Sequence, residues 1–459
     1  MSKPALAVVN PCAAGIDVGA ASHYVCVGDD PEADVRKFGT FTGDLVRLAD
    51  FLQERGIRTV ALEATGVYWI PLFELLERRG FEAVLVDPRQ TKTRKGRPKT
   101  DVQDCQWIRR LHACGLLAGS FRAPDAVLAL RSYVRQRGLL VREGARGIQR
   151  MQKALQQMNV KLTLVVSDVA GKTGLRIIEA ILAGERDPAA LAALRDRQIR
   201  ASAETVAAAL QGNWRDEHLF ALRQALEEWR FRQGQLDTLD AKIEAELVRL
   251  AGAAPKRPAK AKAEGEGGVA ATAPAPPKKR HTKRNALRFD GRQLAAQWAG
   301  VDLTAIAGLD VLTVLVVLSE CGPDLSRFPS ERHFGSWLGL APCPDRSGTS
   351  RNRNRARVGC NRAGQALRVA AMAAGRSQTA LGCFHRRIAA TRGAAKAVTA
   401  TAYKLARLCY RCLKHGLDYV QAGVEAYEKR YRERTIRTLS QKALQLGYYV
   451  ELKPIPAGF

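Results

Sequence analysis

Ala14-Gly-Ile-Asp-Val18 is an apolar run with one acidic residue, Asp17, set inside it. Burying a carboxylate in a strand is expensive unless something charged compensates it, so this stretch reads as a core strand that also carries a site. The surrounding segments fix the layer type. Tyr24–Val27 and Val35–Phe41 read as two further strands of a β-meander. Leu45, Leu48, Ala49 and Leu52 recur at helical spacing until Gly56. Thr59-Val-Ala-Leu-Glu-Ala-Thr65 is a fourth strand and carries Glu63, Tyr68–Arg79 a helix closed by Gly80, and Glu82–Asp87 a fifth strand. Three strands, helix, strand, helix, strand, helix predicts an α/β sheet with helices on its faces.

Asp101 and Asp104 open the next helix, in Thr100-Asp-Val-Gln-Asp-Cys-Gln-Trp-Ile, three residues apart and so on one face. Hard divalent cations such as Mg²⁺ take oxygen ligands, and a metal pair can polarise a scissile phosphate. Asp17, Glu63, Asp101 and Asp104 are therefore candidate metal ligands, Mg²⁺ first with Mn²⁺ as a substitute. The competing reading makes Asp101 a helix cap and Asp104 a surface residue; it leaves Asp17 and Glu63 unexplained. Just before this helix, Arg89, Lys92, Arg94, Lys95, Arg97 and Lys99 put six basic residues into eleven with no acid, a candidate phosphate clamp.

The charge distribution names the partner. The chain has 459 residues, a formal net charge of +28 and a pI near 10.1. From Arg346 to Leu417, 72 residues hold 16 Lys and Arg without one Asp or Glu. A solubilising surface mixes both signs; excluding one of them suits a polyanion, bound through Arg forks and counterion release. Arg346, Arg351, Arg353, Arg355, Arg357, Arg362 and Arg368 surround Ser347-Gly-Thr-Ser350, so a hydroxyl is embedded in phosphate-binding charge. No apolar run is long enough to span a bilayer, and Met1-Ser-Lys-Pro is followed by no signal-peptide core. The expected location is the bacterial cytoplasm, in association with the nucleoid. The ten cysteines form no disulfide framework, and Cys409-x-x-Cys412 lacks the second ligand pair of a zinc ribbon.

A length of this kind divides into several domains: an α/β domain over 1–122, a helical coiled-coil segment over 123–251, a basic Ala/Pro/Lys linker over 252–286, a mainly α-helical domain over 287–425, and a charged helix and tail over 426–459. Two seams mark the middle. Ile148, Met151, Leu155, Met158 and Leu162 form one; Leu219, Leu222, Leu226, Trp229, Gln233, Leu236, Asp240, Ile243, Leu247 and Leu250 form a longer one, broken only at Gln233 and Asp240. Polar residues at core positions can set register and oligomer state, so the longer seam predicts pairing between subunits. Val301–Asp310 leading into Val311–Leu318 resembles a helix-hairpin-helix, but Leu309-Asp310 follows Gly308 where a second glycine is usual, which argues against backbone DNA contact there.

Three blocks, Gly15-Ile-Asp-Val, Leu62-Glu-Ala-Thr-Gly-Val-Tyr-Trp and Lys99-Thr-Asp-Val-Gln-Asp, resemble those of the DEDD transposases of the IS110 and IS1111 insertion-sequence family. Ser326–Pro342 and the segment Asp345–Ser350 resemble that family's second block and the place of its reactive serine. The resemblance implies a ribonuclease-H-like, RuvC-like first domain. It implies that Asp17, Glu63, Asp101 and Asp104 form an acidic tetrad binding Mg²⁺, and that Ser347, with Ser350 as competitor, attacks a scissile phosphate to give a phosphoserine link. It further implies a homo-oligomer, a dimer or tetramer, guided to element ends and target DNA by an element-encoded noncoding RNA. Two rivals stand beside this reading: a RuvC-like, metal-dependent junction nuclease acting by hydrolysis, and a non-catalytic nucleic-acid-binding protein.

Overall fold

The structure, a computed structural model, describes residues 7–30, 32–91, 100–253, 284–343, 355–356, 361–416, 433 and 436–449. The chain divides into two compact units, Met1–Arg122 and Ala123–Phe459.

The first unit holds β1 (Ala13–Val18), β2 (His23–Cys26), β3 (Val35–Phe38), α1 (Thr42–Glu54), β4 (Thr59–Glu63), α2 (Trp69–Arg78), β5 (Glu82–Val86), α3 (Pro88–Thr91) and α4 (Asp101–Ala113). The sheet order is β3-β2-β1-β4-β5. β1, β2 and β3 pair antiparallel, whereas β4 runs parallel to both β1 and β5. Side chains alternate across a sheet, and here the alternation sorts core from site. Ala14, Ile16 and Val18 of β1 and Val60 and Leu62 of β4 join the buried cluster with Leu48, Leu52, Leu72 and Leu76 of α1 and α2. Ala61 and Val86 instead pack with Ile108 of α4, on the other face.

α4 lies against that second face with no room to spare. A Cβ built on Gly15 would sit 2.2 Å from the Arg109 nitrogen and 2.5 Å from the Cys105 carbonyl oxygen, both backbone. The helix runs antiparallel to β1, because its last residue, Ala113, accepts hydrogen bonds from Val9 and Asn10 ahead of the strand.

The second unit is almost entirely helical: α5 (Asp125–Gln157), α6 (Leu162–Val165), α7 (Lys172–Leu182), α8 (Pro188–Ala193), α9 (Ala203–Ala209), α10 (Asp216–Ala253), α11 (Gly291–Ala299), α12 (Val311–Cys321), α13 (Glu331–Trp337), a two-stranded ribbon of β6 (Pro342–Cys343) and β7 (Arg355–Ala356), α14 (Arg362–Gly375), α15 (Ala380–Arg392) and α16 (Ala394–His415). Residues 436–445 are helical as well.

The long seam expected to pair subunits is covered from within the chain. α5 and α10 pack side by side and antiparallel: Gly147 meets Trp229, Arg137 meets Asp240, and Arg249 donates to the Ala126 carbonyl. On α5 the stripe starts earlier than the sequence suggested, running Val127, Leu130, Val134, Arg137, Leu140, Gly144, Gly147 and Met151. Asp240, one of the two polar breaks, is an intrachain partner rather than a mark of subunit register. Its carboxylate accepts from Arg137 Nε at 2.6 Å and Nη2 at 3.2 Å, with both residues at most 5% exposed. Arg137 Nη2 also donates to the carbonyls of Asn285 and Ala286, and the Arg288 amide donates to Asp240. The pair thus fastens the chain where it resumes after residues 254–283.

α12 is tied to α5 by a second ion cluster. Buried Glu320 accepts from Arg131 Nε at 2.8 Å and from Arg135 Nε and Nη2 at 2.8 and 2.7 Å. Burial alone would raise its carboxyl, but the arginine hydrogen bonds and charges outweigh that and hold it below the usual range. In the hairpin ahead of α12, Gly308 has φ +95° and a Cβ there would lie 2.7 Å from the Ala374 Cβ. That glycine serves a turn packed on α14.

Two outcomes test this packing. Gly15→Ala forces backbone apart, so it should cost about 1–3 kcal/mol of stability and should also disturb whatever α4 positions; denaturant melts read the first. Asp240→Ala leaves Arg137 buried and unpaired, at a cost of about 3–5 kcal/mol, while the double change Arg137→Met/Asp240→Leu should recover most of it.

Candidate active site

Asp17 and Glu63 share one end and one face of the sheet. In the parallel register Gly15 pairs with Ala61 and Ile16 with Leu62, so the next step along both strands brings Asp17 beside Glu63. Both follow the alternation of Gly15 and Ala61, the positions that meet α4. Both are half-buried at the carboxyl ends of their strands. Glu63 is held by two hydroxyls, Thr91 Oγ1 donating to Oε2 at 2.8 Å and Thr65 Oγ1 to Oε1 at 3.3 Å. Thr91 sits in the short helix directly after β5, and a threonine there gives no signal in the sequence.

Because α4 runs antiparallel to β1, its first turn lies at the same end as Asp17. Thr100 caps that turn, its hydroxyl accepting from the Gln103 amide at 3.3 Å. The cap role weighed for Asp101 therefore belongs to Thr100. Asp101 is exposed and Asp104 half-buried. One residue further, Cys105 is fully buried. Its thiol is pushed far up, first by a hydrogen bond with Cys26, then by burial, with the Asp17 charge adding to both.

The donor set is all carboxylate oxygen, the chemistry of Mg²⁺ or Mn²⁺ rather than of zinc. Among the described residues, however, no group of three or more His, Cys, Asp or Glu side chains is gathered closely enough to hold a metal ion. The tetrad residues share an end of the sheet without forming a closed ligand shell in this conformation.

The basic candidates divide. Arg89 is exposed on α3, at the same end of the sheet, while Lys92, Arg94, Lys95, Arg97 and Lys99 lie outside the described residues. Ser347, Ser350, Arg346, Arg351, Arg353 and Arg357 also lie outside them. Arg355 pairs with Cys343 in the β6–β7 ribbon. Arg362 is exposed at the start of α14. Arg368 is half-buried and donates to the Gly339 carbonyl at 2.9 Å, so it holds the end of α13 as well as adding charge. Arg131 and Arg135 escaped the sequence reading, since nothing local distinguishes them from other helix-surface arginines; only Glu320, 185 residues or more away, does. Cys409 and Cys412 are buried on α16. No helix among the described residues is long and apolar enough to cross a membrane.

Two family models match the chain. One, a transposase model named for the DEDD transposases of IS110, takes in residues 14–160; the other, the transposase IS116/IS110/IS902 family, takes in residues 300–386. The first takes in all four candidate carboxylates, and the second runs from the hairpin into α15. No curated protein matches the chain. With transposase models matching both the α/β unit and the helical unit, the chain belongs to the IS110 family of transposases and is an enzyme of that class.

Proposed function

We propose that this transposase moves its insertion sequence through a RuvC-like carboxylate site and a serine nucleophile. The observation that carries the carboxylate half is the shared register of Asp17 and Glu63 on the α4 face, with the first turn of α4 at the same end. A β-meander extended by two parallel strands, with helices on both faces, is also what a ribonuclease-H-like domain requires.

Asp17, Glu63, Asp101 and Asp104 would hold Mg²⁺. When bound, such an ion supplies Lewis-acid polarisation of a phosphoryl oxygen. The chain's own groups do the rest. The Thr91 and Thr65 hydroxyls keep the Glu63 carboxylate aimed along the strand end. The Ser347 oxygen attacks phosphorus, the bond to the leaving strand breaks, and the serine proton passes to the leaving oxygen. Arginine forks offset the charge that develops on the phosphate. The phosphoserine ester conserves the bond energy for rejoining to a second strand. An element-encoded RNA chooses the site by base pairing, while most of the protein's own contacts go to backbone and shape.

The test uses the full chain, purified with RNA from its flanking DNA, acting on DNA that carries the element ends. Asp17→Asn and Glu63→Gln should each lower strand cleavage by about a hundredfold or more, and chelation by EDTA should do the same reversibly. Ser347→Ala should stop cleavage altogether, whereas full cutting by that variant would favour metal-dependent hydrolysis. Unchanged cutting by the Asp17 and Glu63 variants would remove the carboxylate site.

A further inference from the structure

α14 turns two different faces to its surroundings. Ala363, Gly364, Leu367, Ala370, Ala371, Ala374 and Gly375 are buried, a strip of mostly small side chains that lets the helix lie close on its neighbours. The opposite stripe is Arg362, Gln365, Val369, Met372 and Arg376, three and four residues apart and all exposed. Val369 is 61% exposed and Met372 50%. Neither arginine has an ion-pair partner among the described residues, and α14, α15 and α16 carry no Asp or Glu.

Single exposed apolar residues are ordinary. Two of them centred on one helical stripe, bracketed by unpaired arginines within an acid-free run, form a pattern with a definite complement. Arg362 and Arg376 are fourteen positions apart, about 21 Å along the axis at 1.5 Å per residue. The B-DNA major groove is about 12 Å wide and admits one α-helix. A helix about 10–12 Å across fits that groove lengthwise, and long arginine side chains at the two ends of the stripe reach the phosphates that line it.

We propose that the outward stripe of α14 is a duplex-DNA contact, with Gln365, Val369 and Met372 entering the major groove and Arg362 and Arg376 taking phosphates on its two rims. This deepens the transposase reading by assigning one surface to DNA itself. A glutamine amide suits adenine and an apolar side chain the thymine methyl, so A·T pairs suit the centre. A-form RNA does not fit, because its major groove is too deep and narrow for a helix.

Fluorescence anisotropy of the full chain, with a short labelled DNA duplex and an RNA duplex of the same sequence, tests the assignment. The variant Val369→Glu/Met372→Glu alters exposed positions only, so its thermal melt should match the wild type. It should bind DNA at least about tenfold more weakly and RNA undiminished. Arg362→Gln/Arg376→Gln should lower the salt slope of DNA binding by about two. DNA affinity unchanged in both variants overturns the proposal, as does an equal loss on DNA and RNA. A shift in the protein's own oligomeric state with DNA binding intact overturns it too, in favour of a second copy on this face. A wild-type chain that binds neither duplex removes the parent reading with it.

Discussion

At Gly15 the backbone of α4 lies against the backbone of β1, where even a methyl group would overlap it. The geometry of the carboxylates depends on this contact. A bulkier residue would lift α4 off the sheet and carry Asp101 and Asp104 away from the strand ends holding Asp17 and Glu63. The close helix brings its first turn, with Asp101 and Asp104, to the strand tip that carries Asp17. A glycine two residues before the aspartate thus serves the site through packing alone.

The second unit depends on charge in the same way that the first depends on space. Asp240 and Glu320 are buried carboxylates, each paired with arginines of α5, so one helix is anchored to α10, to the resuming chain and to α12. Removing one partner of a buried pair is far more damaging than replacing both. These contacts fix a scaffold on which α14 is laid down through alanine and glycine, leaving outward a stripe with Val369 and Met372 at its centre and arginines at its ends.

Much of this was legible in the sequence. Strands β1 to β5 and helices α1, α2 and α4 follow from short apolar runs framed by glycines, and observed boundaries fall within a few residues of the expected ones. Sheet order was not legible, since which strands pair is a non-local matter. The α10 stripe was visible too, but spacing says only that a stripe is covered and never by what. Asp240 looked like a break in a subunit seam because its partner, Arg137, lies 103 residues earlier. α15 escaped notice because Ala380–Arg392 has little apolar periodicity. Asp17 and Glu63 stood out because acids are costly in strands, whereas Thr91, which holds Glu63, is an unremarkable residue in a basic stretch.

The proposed function turns on a covalent serine–phosphate link formed with the help of the strand-end carboxylates. The measurement that reaches it most directly is tandem mass spectrometry of the protein after denaturing quench from a reaction with suicide-substrate DNA. The expected result is a nucleotide adduct on the peptide carrying Ser347, mapped to that residue and not to Ser350, and missing when Asp17 is replaced. Cleaved DNA with free termini and no adduct on any serine would contradict it.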